Sequence, residues 1–267
     1  MMKHAILQHL TECPWRDTLY WFDTIDSTNT RAKAMAEAGA AEGTVLLAGA
    51  QTAGRGRLGR SFHSPVGTGI YLSVILRPNC TPDNLMHLTC ATAVAMCDAV
   101  EQAAGVRPAV KWINDLILHK RKLGGILTEL SVDPKSGLVR YAIVGIGINC
   151  KHEAGDFPAE LQNVATSLKI ATGIHPDMSS IAAAMIEKLW HMRCHLLTEK
   201  GTIMAAYRQG CQTIGQSVTV IRGDEQQSGT ALSVDDDGGL VVAFSDGTVR
   251  TVTSGEVSVR GLCGYCE

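Results

Sequence analysis

The sequence predicts an α+β protein: a mixed β-sheet flanked by helices, followed by a small β-barrel. Two observations carry this. Up to Gln212, strand-type runs neighbour one another with helices set among them, whereas a doubly wound parallel sheet alternates the two. From about residue 213 the composition changes, and short β-rich runs alternate with the turns GDEQQSG, DDDGG and SDGT. About five such strands in about 50 residues make a small barrel. The predicted boundary near Gln212 divides a unit of residues 1–212 from one of residues 213–267.

The elements follow in order. TLYWFDTI is aromatic and β-branched and reads as a strand. DSTNTRAKAMAEAGA reads as a helix, with cap-type Asp26, Ser27 and Asn29 at its start, an alanine-rich body and Gly39 at its stop. GTVLLAGAQ and GTGIYLSVIL are strands on either side of a glycine–arginine stretch. Residues 82–104 predict a long helix, because Leu85, Leu88, Thr89, Thr92, Met96 and Val100 recur at three-to-four spacing. AVKWIN is a strand. DLILHKRKLGGILTELSV has two apolar arms around His119 to Lys122 and predicts a hairpin, and GLVRYAIVGIGIN is a long strand. FPAELQNVATSLKIATG and DMSSIAAAMIEKLWHMRCHLLTEK read as helices.

The totals bound the function. The chain has 267 residues, 45% hydrophobic, which suffices for a large domain or a large and a small one. Its formal net charge of -2 excludes general polyanion binding, so three arginines within residues 54–60 are informative. The nine cysteines (13, 80, 90, 97, 150, 194, 211, 263 and 266) sit mostly in apolar context; the odd count, with no signal-peptide pattern, points to a reducing cytoplasm. Cys263 and Cys266 form a lone CxxC without a second pair, and a solvated tail is the better reading than zinc or redox chemistry. No apolar run approaches the roughly 18 residues of a membrane span.

GRGRLGR, residues 54–60, carries glycines at 54, 56 and 59, the spacing of a dinucleotide fingerprint. That motif needs a helix opening at its third glycine, and a P-loop also runs into a helix. Here RSFHSPVGTG follows, which is loop, and Arg60 stands where a P-loop has lysine. Two readings remain: glycine backbone able to approach an anion with two guanidiniums two residues apart, which share a side in an extended loop, or a solvated basic loop that touches nucleic acid. Lys111, Asn114, Asp115 and Lys122, and the cap-type Ser27–Thr28–Asn29, are companion polar sites.

Taken together, DSTN, QTAGRGRLGRSFHSP, GIYLSVIL, KWIND, KLGGILTEL and GIGIN resemble, in order, the motifs of the biotin protein ligases, from about residue 19 to 262. The resemblance implies a mixed sheet with helices on one side, of the type shared with class II aminoacyl-tRNA synthetases, and a C-terminal SH3-like barrel. It implies that Ser27, Thr28, Asn29 and Gln51 line a biotin pocket bordered by Gly125, Ile126 and Asn149. Gly54, Arg55, Gly56 and Arg57 then belong to a loop that is mobile when empty and orders over biotin and the adenylate. Arg55, Arg57 and Lys111 are the implied catalytic cations, and Arg60, Phe62, Asn114 and Asn149 join them around ATP. The implied substrates are biotin and ATP with Mg²⁺ bound through the phosphates, and no metal site on the protein is expected. The implied acceptor is a biotin carboxyl carrier protein or domain. Two departures stand out: Ile113 replaces the family's usual proline and is expected to loosen that turn, and Phe62 stands where some members have tryptophan. The rivals are lipoate or octanoate transfer on the same fold, a biotin-responsive repressor and a non-catalytic nucleotide-binding module. Only about 18 residues precede the first strand, so no DNA binding is expected. The resemblance allows either a monomer or a homodimer, in the cytoplasm and off the membrane.

Overall fold

The computed structural model describes residues 1–10, 12–253 and 258–260, the last three by backbone alone. Seven strands form one sheet in the order β1-β2-β3-β7-β6-β5-β4. They are β1 (Leu19–Phe22), β2 (Val45–Ala48), β3 (Gly69–Leu76), β4 (Ala109–Lys111), β5 (Asp115–Leu118), β6 (Arg121–Val132) and β7 (Val139–Asn149). The β1–β2 pair is parallel and every other pair antiparallel, so the sheet is mixed. The predicted hairpin is β5–β6, with His119 (φ 50°) and Lys120 (φ 61°) at the turn.

Strand alternation divides the sheet into two faces. Leu72, Val74 and Leu76 of β3 and Ala142, Val144, Ile146 and Ile148 of β7 join one large core with helices α3 (Leu88–Ala104) and α5 (Met178–His195). Helix α1 (Met2–His9) packs there through Ile6, and α6 (Lys200–Gly210) through Met204 and Tyr207. The other face holds Ile75, Tyr141 and Ile143 against Ala32 and Ala36 of α2 (Thr28–Glu37). Helices therefore cover both faces, unlike the one-sided arrangement the resemblance implies. Arg77 fixes α2 by donating to the carbonyls of Ala36 (2.7 Å) and Ala40 (2.9 Å) at its C-terminal end, which leaves its N-terminus, capped by Ser27, pointing over the sheet.

Three segments differ from the sequence expectations. The long helix begins at Leu88, not 82, because Pro82–Leu85 forms a separate 3-10 turn. FPAELQNVATSLKIATG contains one 3-10 turn (Ala159–Leu161) and only one short helix, α4 (Leu168–Thr172). Its middle is drawn into pairing with Lys122, whose N–H donates to Val164 O and whose carbonyl accepts from Thr166 N, both at 2.8 Å. Helices α1 and α6 were not foreseen.

Beyond α6, strands β8 (Ser217–Arg222), β9 (Glu225–Val234), β10 (Leu240–Phe244), β11 (Val249–Val252) and β12 (Ser258–Arg260) form an antiparallel sheet in the order β11-β10-β9-β8-β12. The five strands expected here are present, but among the described residues no ladder joins β11 to β12 to close a barrel. The Cys263–Cys266 pair lies outside the described residues.

His152 is fully buried, stacked on Phe157 at 4.8 Å between ring centroids, with its Nε2 3.0 Å from Thr68 Oγ1. Burial pushes its pKa down to about 4; nearby His63 adds to this and Asp156 opposes it. The folded state thus holds His152 neutral, and the unfolded chain binds the extra proton between about pH 6.5 and 4. That contribution to stability is present above about pH 6.5 and is lost as pH falls towards 4, by up to about 3 kcal/mol. Urea midpoints at pH 7 and 4.5 should fall further for the wild type than for His152→Gln; equal falls would remove His152 as the cause.

Candidate active site

On the α2 face of the sheet, β7 carries glycine at Gly145 and Gly147. A Cβ at Gly145 would stand 1.8 Å from Asn29 Oδ1, and one at Gly147 would stand 2.4 Å from the Phe62 ring. The strand is bare there so that a helix end and an aromatic ring can approach it. The result is a cavity of about 470 Å³ over the sheet, within the usual range for a small-molecule site.

Its first wall is the N-terminus of α2, where Ser27, Thr28 and Asn29 are all buried. The Thr28 N–H and hydroxyl both donate to Gln51 Oε1 (2.8 and 3.1 Å), and Gln51 Nε2 donates to Ser64 Oγ at 3.0 Å. Ser73 Oγ lies 2.7 Å from Asn29 Oδ1 and 2.8 Å from Thr28 Oγ1. These bonds fix the directions of Thr28, Asn29 and Gln51 in a small neutral polar pocket.

The second wall is GRGRLGR. It is a two-stranded hairpin: Phe62 N–H donates to Gly54 O (2.8 Å), Gly56 N–H donates to Arg60 O (2.7 Å), and Arg55 pairs with Ser61. Leu58 (φ 55°) and Gly59 (φ 73°) turn its tip. The two guanidiniums do not share a target. Arg55 reaches Glu129 with both terminal nitrogens at 3.1 Å, while Arg57 donates to Asn114 Oδ1 at 3.0 Å. The tight turn after Gly56 breaks the extended spacing that would have aligned them. Burial pushes the Arg57 pKa below its ordinary value, with Asp115 opposing, although the group stays charged.

The third wall is the β4–β5 turn with the start of β6. Lys111 is buried at 7% exposure, and Lys122 Nζ sits 2.6 Å from Asp115 Oδ1 beside Gly125. Asn114 Nδ2 donates to Ile126 O at 3.0 Å. The turn at Ile113 is not loose. Tyr207 Oη donates to Ile113 O (3.1 Å), Trp112 N–H to Thr213 Oγ1 (2.9 Å) and the Trp112 indole to Gly238 O (2.8 Å). The last two donors tie the site to the chain beyond α6. The Trp112–Ile113 peptide is cis.

Of the residues singled out in the sequence, Ser27, Thr28, Asn29, Gln51, Arg55 and Gly56 line this cavity, as do Arg57, Arg60, Phe62, Lys111, Asn114, Gly125 and Ile126. Gly54 and Asn149 do not. Gly54 packs under the hairpin, against Phe62 O and Ser64. Asn149 is buried one step away and donates to Thr166 O at 3.0 Å, bracing the segment that pairs with Lys122. Asp115 and Lys122, also singled out in the sequence, line the cavity as well, and the structure adds Leu58, Ser61, Trp112, Leu127, Ile146, Gly145 and Gly147. The alternate glycines of GIGIN were the available signal for the last two. Five cationic side chains and one carboxylate, Asp115, face the cavity in a chain of net charge -2. The site therefore suits a ligand with a neutral polar head and a strongly anionic end. Among the described residues no group of three or more His, Cys, Asp or Glu is placed to hold a metal ion.

A mixed sheet, a glycine–arginine hairpin and a cation-lined cavity with a neutral polar pocket define a protein built to bind a small ligand with an anionic end. The family pattern of the biotin/lipoate A/B protein ligases matches residues 21–149, and the chain belongs to that family. A second pattern, the biotin protein ligase C-terminal domain, matches residues 213–260. Within the family the chain is a biotin protein ligase. It is 34% identical over 245 residues to the bifunctional ligase/repressor BirA of Bacillus subtilis, covering 90% of this chain and 74% of that one. It is 33% identical over 237 residues to the biotin–[acetyl-CoA-carboxylase] ligase of Mycobacterium tuberculosis, covering 86% and 85%. The structure of the Aquifex aeolicus biotin protein ligase in complex with biotin and ATP superposes with a TM-score of 0.76 at 28% identity, over 91% of this chain and 98% of that one.

Proposed function

We propose that this protein activates biotin with ATP and transfers it to a lysine of a biotin carboxyl carrier protein or domain. The observation that carries this is the union, in one cavity, of a neutral polar pocket with a cluster of cations. The Aquifex aeolicus relative was solved with biotin and ATP, and a Leishmania major relative with biotinyl-5-AMP. In the first step a biotin carboxylate oxygen attacks the α-phosphorus, the bond to the bridging oxygen breaks, and pyrophosphate leaves. In the second, a neutral lysine amine attacks the acyl carbon of the anhydride and AMP leaves. Neither step needs a protein nucleophile. The protein aligns two anions that repel each other and holds the charge that builds on the phosphorus oxygens.

Ser27, Thr28, Asn29 and Gln51 present fixed donors and acceptors to the ureido head, and Phe62, Ile126 and Leu127 cover the apolar parts. Arg57, Arg60, Lys111 and Lys122 face the carboxylate and phosphates. Asp115, held by Lys122, is the one carboxylate lining the cavity, so Mg²⁺ enters with the triphosphate and not as a resident ion. We divide the chain into a catalytic unit of residues 1–212 and a C-terminal unit of residues 213–267. We place it in the cytoplasm: the seven described cysteines are unpaired, and among the described residues no helix is long and apolar enough to cross a membrane.

Pyrophosphate release from ATP should require biotin, and mass detection should show biotinyl-5′-AMP, followed by biotin on a carrier domain. Release that depends on lipoate and not on biotin would move the assignment to the lipoate branch of the family.

A further inference from the structure

Strand β3 is buried along its whole length, and its sequence GIYLSVIL sets one serine among apolar and aromatic side chains. Leu72, Val74 and Leu76 point into the large core and Ile75 to the α2 face, so alternation sends Ser73 to the α2 face as well. There it is 0% exposed and lies outside the cavity lining. A hydroxyl in such a place is costly unless it is bonded. Ser73 pairs across the sheet with Gly145, so a serine and a glycine stand side by side under the first turn of α2. Gly145 lets Asn29 come down onto the sheet. Ser73 meets it with a donor, its Oγ 2.7 Å from Asn29 Oδ1 and 2.8 Å from Thr28 Oγ1.

Proton count fixes the direction of these bonds. Asn29 cannot turn its amide round, because Nδ2 is held by two acceptors, Glu129 Oε2 at 2.9 Å and Leu127 O at 3.4 Å. Oδ1 therefore takes its bond from Ser73. Gln51 cannot turn either, since its Oε1 accepts the Thr28 N–H at 2.8 Å. The Thr28 hydroxyl donates to that same oxygen at 3.1 Å. With its one proton committed to the protein, Thr28 Oγ1 meets the cavity as an acceptor. Without Ser73, Asn29 Oδ1 would lose the donor that Ser73 supplies. Thr28 would lose the shorter of its two hydroxyl contacts, and with it the direction of its proton.

We infer that Ser73 is a positioning residue for ligand selection: it holds Asn29 in place and Thr28 as an acceptor, so that the pocket favours a head group carrying N–H donors. Ser73 acts through these two side chains and touches no ligand itself. The inference rests on the ligase reading in one respect, that the head group is then the ureido ring, whose N–H groups are the donors. None of the cations at the anionic end of the cavity is bonded to Ser73, so it acts on the affinity for biotin and not on the chemical step.

The test compares Ser73→Ala and Ser73→Cys with the wild type. Cysteine fills the place of serine but is a weak donor, so it separates the hydroxyl from the space it occupies. The KM for biotin should rise about 5- to 30-fold in both, the scale of one lost buried hydrogen bond. The KM for ATP, and kcat at saturating biotin, should stay within about twofold of wild type. Beside Asn29→Ala, Ser73→Ala should add little further, since the two residues share one bond. In the ligand-free protein the Thr28 amide, which donates to Gln51, should exchange faster in Ser73→Ala. A wild-type KM for biotin in Ser73→Cys overturns the inference. So does a fall in kcat with the KM for biotin unchanged, or full additivity with Asn29→Ala. If the wild type binds no biotin, the ligase reading fails, while the exchange measurement still decides whether Ser73 positions the pocket: unchanged exchange at Thr28 means that it does not.

Discussion

Arg57→Ala should lower the rate of biotinyl-adenylate formation by about 30- to 1,000-fold and leave the fold intact. Arg57 stands half-buried at the meeting of the hairpin with the β4–β5 turn, its guanidinium aimed by Asn114. Burial disfavours its charge, so the folded protein holds this cation in place at some cost, as preorganised stabilisation of a developing charge requires. Removing one such group costs roughly 2–4 kcal/mol in the transition state, which gives the stated range. The fold should survive because Arg57 projects from a surface hairpin whose backbone closure, Gly56 to Arg60 and Phe62 to Gly54, does not involve its side chain. Single-turnover adenylation with saturating biotin and ATP reads the effect, and thermal melting checks the fold. Adenylation within threefold of wild type would take Arg57 out of the reaction. Lys122→Met should act in the same direction, because Lys122 faces the same end of the cavity.

The second large effect is expected at Gly145, a residue with no side chain to contribute. Gly145→Ala places a Cβ 1.8 Å from Asn29 Oδ1, well inside contact distance. Asn29 cannot swing aside cheaply, since it is buried and bonded to Ser73 and Glu129 at once. Displacing it leaves buried polar groups unpaired, at about 1–3 kcal/mol each. The KM for biotin should therefore rise at least about 10-fold, and the melting temperature should drop by several degrees. Gly201→Ala, in α6 with nothing within 4 Å of its new methyl, should be neutral or slightly stabilising. A Gly145→Ala protein with unchanged biotin KM would show that the approach of Asn29 to β7 does not shape the pocket.

Most of the strands, the caps of α2 and the β5–β6 hairpin were legible in the sequence because each depends on neighbours a few residues away. Helix α2 needed only Ser27 before an alanine-rich run, and β7 only an unbroken apolar stretch. The reading faltered where a distant partner decides local shape. Residues 163–166 lack any helix signal strong enough to resist pairing with Lys122, some forty positions earlier, so the predicted helix there breaks into turns and one short helix. Of the candidate site, the residue types were visible as motifs, but not their targets. Arg55 and Arg57 look alike in sequence, and only the fold sends one to Glu129 and the other to Asn114. Glu129 itself sits in an ordinary alternating strand, 74 residues from its partner, and nothing local marks it.

By itself the sequence determined the kind of protein this is: most of its strands and helices, that the glycine–arginine element is neither a dinucleotide fingerprint nor a P-loop, and which family that pattern resembles. Only the tertiary structure decided which charges face the ligand and which face each other, that Asn149 braces the site from behind, and that two glycines of β7 open the floor of the cavity. The reason is the range of the forces. Backbone preference and apolar periodicity act within a turn or a strand, whereas a charge is assigned its role by whichever group the folded chain brings within about 3 Å, however far away in sequence that group began.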